Sequence, residues 1–281
     1  MANAAPATIF DAVQAKVLAA IGTGISEFEA RSLRAEAEKL SRADPLSAIE
    51  LKAMLAIADG RLEEADEMYA RVLRASGNPL DRLLRYLSVL SRAGHAEQLG
   101  RVYRSRVNLA DLAPHSRELM AKILGFCGWA VESTRIRREL GATGYQLDYG
   151  PITSLHFPDE AAKEASMPGE WIPRSQSIRD LTITEETMAS LGTDDSWIAA
   201  RVGDALQFFR SRAIDVLAVR SSPTPRESGE QGLLVNIYVN ALIDEASDAE
   251  WEMFGYLCDR SPDILDIDGV GFAVVAAPEY S

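Results

Sequence analysis

Histidine is the residue type that would most directly indicate catalysis or metal binding, and it occurs only at His95, His115 and His156. A hydrolase triad needs a histidine beside a nucleophile and a carboxylate, and a zinc site needs several ligands at short spacing. Neither pattern can be assembled around these positions. The sequence also has no phosphate-binding glycine loop and no GxSxG nucleophile turn. We therefore predict no catalytic residue, no bound metal and no cofactor.

Two acidic clusters are the remaining candidates for chemistry, as paired carboxylates or as calcium ligands. Asp194 and Asp195 stand together, but they fall in the first turn of a predicted helix, where negative charge suits the exposed backbone amides. The run DILDIDGVG is spaced like part of a calcium loop, but Ile264 would occupy its first ligand position. We interpret the pair as helix caps and the run as a solvated loop.

The charge pattern disfavours nucleic acid as a partner. The 281 residues carry a formal net charge of −13, and acidic residues alternate with arginine along the helices instead of forming a block. Lysine supplies only 5 of the 29 basic residues in this alanine-rich chain, which suggests a GC-rich bacterial gene.

The cysteines and the first apolar stretch indicate the compartment. Cys127 and Cys258 are too few for a disulfide framework, so we predict that both are reduced core residues. The stretch from Ala7 to Ile21 contains Asp11 and Lys16 and is shorter than the roughly 20 residues of a membrane span. We therefore expect a cytoplasmic protein that is neither secreted nor membrane-spanning.

Glycine and tyrosine recur at a fixed interval in the first half of the chain. Gly60, Gly94 and Gly128 are 34 residues apart (94 − 60 and 128 − 94), and Tyr69 and Tyr103 keep the same interval. A period of this length is typical of tandem helical hairpins. Each glycine would end the first helix of a hairpin in a left-handed conformation.

The segment GRLEEADEMYARVL, which begins at Gly60, resembles the turn and second helix of a tetratricopeptide repeat (TPR), with Ala65 at the small position. The resemblance covers about residues 7 to 141 and weakens along the array, where Leu99 takes the place of Ala65. It implies an α-helical solenoid, which we assign to residues 1–143.

Proteins of the tetratricopeptide family mostly bind peptides or other proteins along a concave face formed by the first helix of each hairpin. Carried over by register, the resemblance implies a partner-binding inner face made of Glu50, Met54, Ile57, Leu84, Ser88, Ser91, Arg92, Glu118, Lys122 and Phe126. The alternative is that this face packs against the chain's own N-terminal helix or C-terminal module.

Helical periodicity fades after the array, and Pro151, Pro158, Pro168 and Pro173 follow. We therefore assign residues 144–177 to a linker or irregular segment and residues 178–281 to a separate C-terminal α/β module. Strands are predicted at Asp180–Thr184 (DLTIT), Ala213–Arg220, Leu233–Ala241 and Val270–Ala277.

Two longer helices complete the predicted module. The first carries the buried stripe Ile198, Val202, Ala205, Leu206 and Phe209. The second, capped by Ser247 and Glu250, is predicted to bury Trp251, Phe254 and Cys258. The resulting order βαββαβ is that of the ferredoxin-like fold, so the chain as a whole is predicted to be α+β.

The strand Leu233–Ala241 alternates between an apolar and a polar face. Leu234, Asn236, Tyr238 and Asn240 would lie on the open face of the sheet, which is polar but uncharged. We hypothesise that this face contacts a second copy of the chain, giving a homodimer, or contacts the repeat array.

The function predicted from these features is a non-enzymatic adaptor or scaffold whose repeats hold a partner protein or peptide. The alternative is an enzyme or ligand sensor with its site in the C-terminal module and the repeats as a targeting arm. Acidic, asparagine and tyrosine side chains that converge in an enclosed pocket would favour this alternative.

Overall fold

Paired helices build the first half of the chain. The computed structural model describes residues 6–77, 79–145, 178–265 and 267–276, so most of the predicted linker lies outside the described residues. The helices of the first half are α1 (Pro6–Thr23), α2 (Glu27–Leu40), α3 (Pro45–Ala58), α4 (Leu62–Ala75), α5 (Pro79–Arg92), α6 (Ala96–Arg106), α7 (Pro114–Phe126) and α8 (Ala130–Ala142). Among the described helices, none is long and apolar enough to cross a membrane.

Glycine ends the first helix of three of these pairs, as predicted. Gly60, Gly94 and Gly128 have φ angles of 75°, 76° and 83°, a region that glycine adopts without steric strain. The residue after each glycine donates its N–H to a carbonyl five residues earlier, at 2.8 to 3.0 Å, which is the hydrogen bond of a Schellman helix end. The 34-residue period is therefore consistent with a repeated helical hairpin.

Capping side chains and prolines set where several helices begin. Ser26 accepts the N–H of Glu29 at 3.3 Å, and Glu29 accepts the N–H of Ser26 at 3.1 Å, which forms a reciprocal capping box. Asp44 accepts the N–H of Ser47 at 3.1 Å just before Pro45, whose missing N–H is not needed in a first helical turn.

A small sheet with helices forms the rest of the described chain. Its elements are α9 (Ile178–Ser190), α10 (Asp195–Ser211), β1 (Val216–Pro225), β2 (Gln231–Val239), α11 (Ile243–Arg260) and β3 (Val270–Ala276). The strand order is β1-β2-β3, with β1 antiparallel and β3 parallel to β2. Because parallel neighbours need a crossover connection, α11 joins β2 to β3.

The predicted strand at Asp180–Thr184 is wrong, because this segment belongs to α9. The alternation of Leu181 and Ile183 is too short to outweigh the helical spacing of the residues that follow. Thr184, Thr187 and Met188 are all buried, at positions i, i+3 and i+4 of one helix face. The described module therefore has the order ααββαβ instead of βαββαβ.

Two predictions for the C-terminal module are confirmed, namely the buried stripe of α10 and the buried apolar face of β2. The stripe of α10 is buried at every predicted position, and so is the apolar face of β2; these residues are Ile198, Val202, Ala205, Leu206, Phe209, Leu233, Val235, Ile237 and Val239. On the opposite face of the sheet, Tyr238 packs with Ala218 and Val275, and Leu234 and Asn236 are half-buried.

The predicted buried face of α11 is wrong. The helix begins at Ile243, before the predicted cap, and it packs on the sheet through Ala246, Ala249, Met253 and Leu257. Trp251 and Phe254 are exposed, and Cys258 is half-buried. The small alanine side chains let this face approach the sheet closely, and the larger aromatic residues therefore lie on the solvent side.

Two large clusters of buried apolar side chains form the cores, and each includes a residue from the other half of the chain. Phe126 of α7 belongs to the cluster of the sheet, and Ala199 of α10 belongs to the cluster of the helical array. The helical array and the C-terminal module therefore pack directly against each other.

Candidate interaction surface

The predicted inner-face residues lie inside the chain. Eight of the ten are buried, at no more than 8% exposure, and they are Glu50, Met54, Ile57, Leu84, Ser88, Ser91, Glu118 and Phe126. Arg92 and Lys122 are half-buried. The chain's own elements therefore cover the face on which a partner was predicted, and its use by a partner stays a prediction.

At the first hairpins the covering element is α1. Glu50 is fully buried, and its carboxylate accepts hydrogen bonds from Arg82 and Arg85 of α5, with Arg85 Nε at 2.6 Å from Oε1. The guanidinium of Arg85 also lies over the ring of Phe10 in α1, 5.5 Å from its centroid. These cationic groups join α1, α3 and α5 around one buried carboxylate.

At the ends of α5 and α7 the covering element is the C-terminal module. Arg92 forms an ion pair with Asp215, the residue before β1, at 3.4 Å. Phe126 packs into the core of the sheet. Glu118, near the start of α7, is contacted by the segment that follows α8, where Tyr145 donates its hydroxyl to Glu118 at 3.0 Å.

Helix α10 crosses the turns of three successive hairpins. Arg210 donates to the backbone carbonyl of Ala58, and Gln207 donates to that of Gly94 at 3.3 Å. At the third turn, a methyl added to Gly128 would lie 2.8 Å from a methyl group of Val202. The array and α10 thus meet along a seam that follows the 34-residue period.

Asp195 contacts the array at one end of this seam. Its two carboxylate oxygens accept the backbone N–H groups of Val131 and Glu132 in the first turn of α8, both at 2.8 Å. Asp194 accepts the N–H of Trp197 at 2.8 Å and caps its own helix. The predicted capping role is confirmed for both residues, but Asp195 caps a helix of the array instead of its own.

We expect the stabilising contribution of the Asp195 carboxyl to fall as pH rises. Burial raises its pKa from 3.8 to about 6, against the opposing effect of its two N–H donors. In the unfolded chain the Asp195 carboxyl releases its proton near pH 3.8. The folded state therefore binds more protons than the unfolded state between pH 3.8 and about pH 6. Over this range the free energy of unfolding declines by on the order of 2 kcal/mol.

Urea unfolding of the wild type and Asp195→Asn at about pH 4 and about pH 7.5 measures this contribution. Other titrating groups occur in both proteins and cancel in the difference. The wild type should lose stability relative to Asp195→Asn as pH rises, and a constant difference would contradict the prediction.

A cleft of about 610 Å³ lies where the turn before α6 meets α10. Two of its arginines are held in ion pairs, Arg260 with Asp204 at 2.5 Å and Arg201 with Asp263. His95 donates from Nε2 to the carbonyl of Ile57 at 3.3 Å, and burial lowers its pKa. Within the described ranges, no group of three or more histidine, cysteine, aspartate or glutamate side chains is placed to hold a metal ion.

Among the described residues, the clearest unpartnered surface is the outer face of α11. Trp251 and Ile243 are each 79% exposed, Phe254 is 40% exposed, and Leu242 precedes them at the helix start. Eight residues separate Ile243 from Trp251 and three more reach Phe254, so the three lie within about 80° of one another around the helix, and Trp251 lies opposite the buried Met253. Large apolar groups on one exposed face are typical of an interaction site.

Acidic side chains lie beside these apolar residues on α11. Asp244, Asp248 and Asp259 are exposed and form neither a hydrogen bond nor an ion pair with any described residue. Glu252 pairs with Arg212 at 2.8 Å, and Glu250 accepts the N–H of Val274 in β3 at 2.7 Å. The outer face of α11 therefore combines apolar anchors with net negative charge.

The sequence prediction missed this face because it assigned the bulky residues Trp251 and Phe254, with Cys258, to the buried side of the helix. The signal was present in the spacing of Ala246, Ala249, Met253 and Leu257, which repeats every three or four residues and marks the buried side. Following that stripe would have placed Trp251 on the outside.

Comparison with known protein families, with curated proteins and with solved structures returned no match for this chain. The proposed function of this chain therefore depends on the chemistry of its exposed surface.

Proposed function

We propose that this chain is a non-enzymatic, protein-binding adaptor built on a tetratricopeptide-like helical array. In this proposal the array and the C-terminal module act as one scaffold, and the outer face of α11 holds the partner. The observation that carries the proposal is the exposure of Trp251 together with Ile243 and Phe254. Tryptophan is among the residues that contribute most to binding energy at protein interfaces.

The burial of the inner face supports placing the interface on α11. A partner in the inner groove would have to displace α1 from Arg85 or the sheet from Phe126, whereas Trp251 and Ile243 of α11 are already exposed. The paired charges of the cleft beside α10 support a structural role for that region.

Affinity capture with the full chain from an extract of its host tests this proposal. Trp251→Glu should reduce the recovery of specifically bound protein by about tenfold or more, since it removes a central aromatic anchor. Because Trp251 is exposed, the free energy of unfolding of the variant should stay within about 0.5 kcal/mol of that of the wild type.

The matched control is Phe28→Glu on α2, where an aromatic residue is also exposed, at 81%. This variant should capture the same proteins as the wild type. If Trp251→Glu also captures everything that the wild type captures, the proposal is wrong.

A further inference from the structure

The charge on α11 indicates which kind of partner its outer face fits. The helix contains six acidic residues and one arginine, and that arginine, Arg260, is paired with Asp204. We propose that the outer face of α11 binds a basic amphipathic segment of a partner protein, in which an apolar stripe is flanked by lysine or arginine. This inference rests on the proposed function and specifies its partner class.

The apolar anchors have the dimensions of a helical ligand. Ile243 and Phe254 are eleven residues apart, which corresponds to about 16 Å along the helix. A partner helix of about three turns would cover the stripe from Ile243 through Trp251 to Phe254. Phe254 and Trp251 would supply most of the apolar contact.

The acidic residues lie where basic side chains of such a ligand would reach them. Asp244 and Asp248 are one helical turn apart and flank Trp251 on one side, and Asp259 continues the row. In the described part of the chain these three carboxylates have no basic partner, so lysine or arginine of a ligand would add ion pairs without breaking existing ones. Such charge complementarity selects partners and speeds association.

The same charges argue against a second copy of this chain as the occupant. In a symmetric contact through the outer face, the row of Asp244, Asp248 and Asp259 would meet acidic residues of the identical face, which is unfavourable. Addition of a strand at the edge of β3 is also opposed there, because Glu250 already accepts the N–H of Val274.

The test uses the full chain and a fluorescent amphipathic peptide of about 18 residues, the length of α11, with leucine on one face and lysine on both flanks. A second peptide carries glutamate in place of each lysine. Fluorescence anisotropy should show that the lysine peptide binds at least about tenfold more tightly than the glutamate peptide. Trp251→Glu should abolish this binding.

Charge reversal on α11 separates the specific site from the general attraction of an acidic protein. The double variant Asp244→Lys/Asp248→Lys should weaken binding of the lysine peptide by about tenfold. The control Glu63→Lys/Glu67→Lys makes the same charge change at the same spacing on α4, where both glutamates are exposed, and should weaken it by less than about threefold. Equal effects of the two double variants would overturn the proposal.

The partner class and the proposed function can fail separately. If host proteins depend on Trp251 for capture but are unaffected by Asp244→Lys/Asp248→Lys, the basic partner is wrong and the adaptor function stands. If sedimentation shows a wild-type dimer that Trp251→Glu dissociates, the occupant is a second copy and the basic partner is overturned. If Trp251→Glu changes neither capture nor peptide binding, both proposals are wrong.

Discussion

Glu50→Ala is expected to lower the free energy of unfolding by about 3–5 kcal/mol, because it breaks a buried ion-pair network. The carboxylate is fully buried and neutralises Arg82 and Arg85, whose side chains are each only 16% exposed. Its removal breaks the ion pairs with both guanidinium groups beneath α1. Urea-induced unfolding followed by circular dichroism measures the loss.

The control for this prediction is Glu64→Ala, which removes a glutamate paired with Arg61 on the surface, where both side chains are 44% exposed. Exposed pairs contribute at most about 1 kcal/mol, so this variant should stay close to the wild type. If Glu50 lay in an open groove instead, the two variants would unfold alike. That result would contradict the packing of α1 and α5 around this carboxylate.

The Glu50 result also bears on how binding experiments at the inner face are interpreted. A variant that loses several kcal/mol of stability loses binding for reasons unrelated to contact with a partner. Binding measured for Glu50 variants is therefore informative only when the fold is shown to persist.

Gly94→Ala is expected to destabilise the protein by about 1–3 kcal/mol more than the equivalent change Gly60→Ala, owing to overpacking. Both glycines end the first helix of a hairpin at nearly the same positive φ, so the backbone strain of about 1–2 kcal/mol is common to both. A methyl group on Gly94 would also lie 2.9 Å from the carbonyl oxygen of Gly203 and 3.0 Å from Cβ of Leu206.

The site of Gly60 is open, since nothing lies within 4 Å of a methyl group added there. The difference between the two variants therefore measures the contact between α10 and the array turn, apart from the turn itself. Urea unfolding of both proteins under one condition gives this difference. Equal losses would mean that α10 does not press on the turn at Gly94.

Local signals of the sequence predicted the hairpins and several elements of the module correctly. Gly60, Gly94 and Gly128 adopt the left-handed conformation that ends a helix, because this preference belongs to the residue and its immediate neighbours. The alternation of β2 and the stripe of α10 were also sufficient, since each places its apolar residues on one side of a regular element.

Short or ambiguous sequence patterns did not by themselves determine the secondary structure, which depended on tertiary contacts. Leu181 and Ile183 alternate like a strand, yet the segment becomes a helix because Thr187 and Met188, one or two turns later, are buried on a helical face against the sheet. The start of α11 was missed for a similar reason. Its first turn lies ahead of the predicted capping pair, and the packing of Ala246, Ala249, Met253 and Leu257 on the sheet leaves Trp251 on the solvent side.

What only the tertiary structure decided is which faces are covered. Sequence register placed Glu50, Leu84 and Phe126 on one inner face, but it could not show that α1 and the sheet would pack there. Periodicity within a helix identifies its apolar side, whereas the neighbour that covers that side comes from a distant part of the chain. For the same reason, the outer face of α11 became a candidate interface only once the sheet was seen to occupy the opposite side.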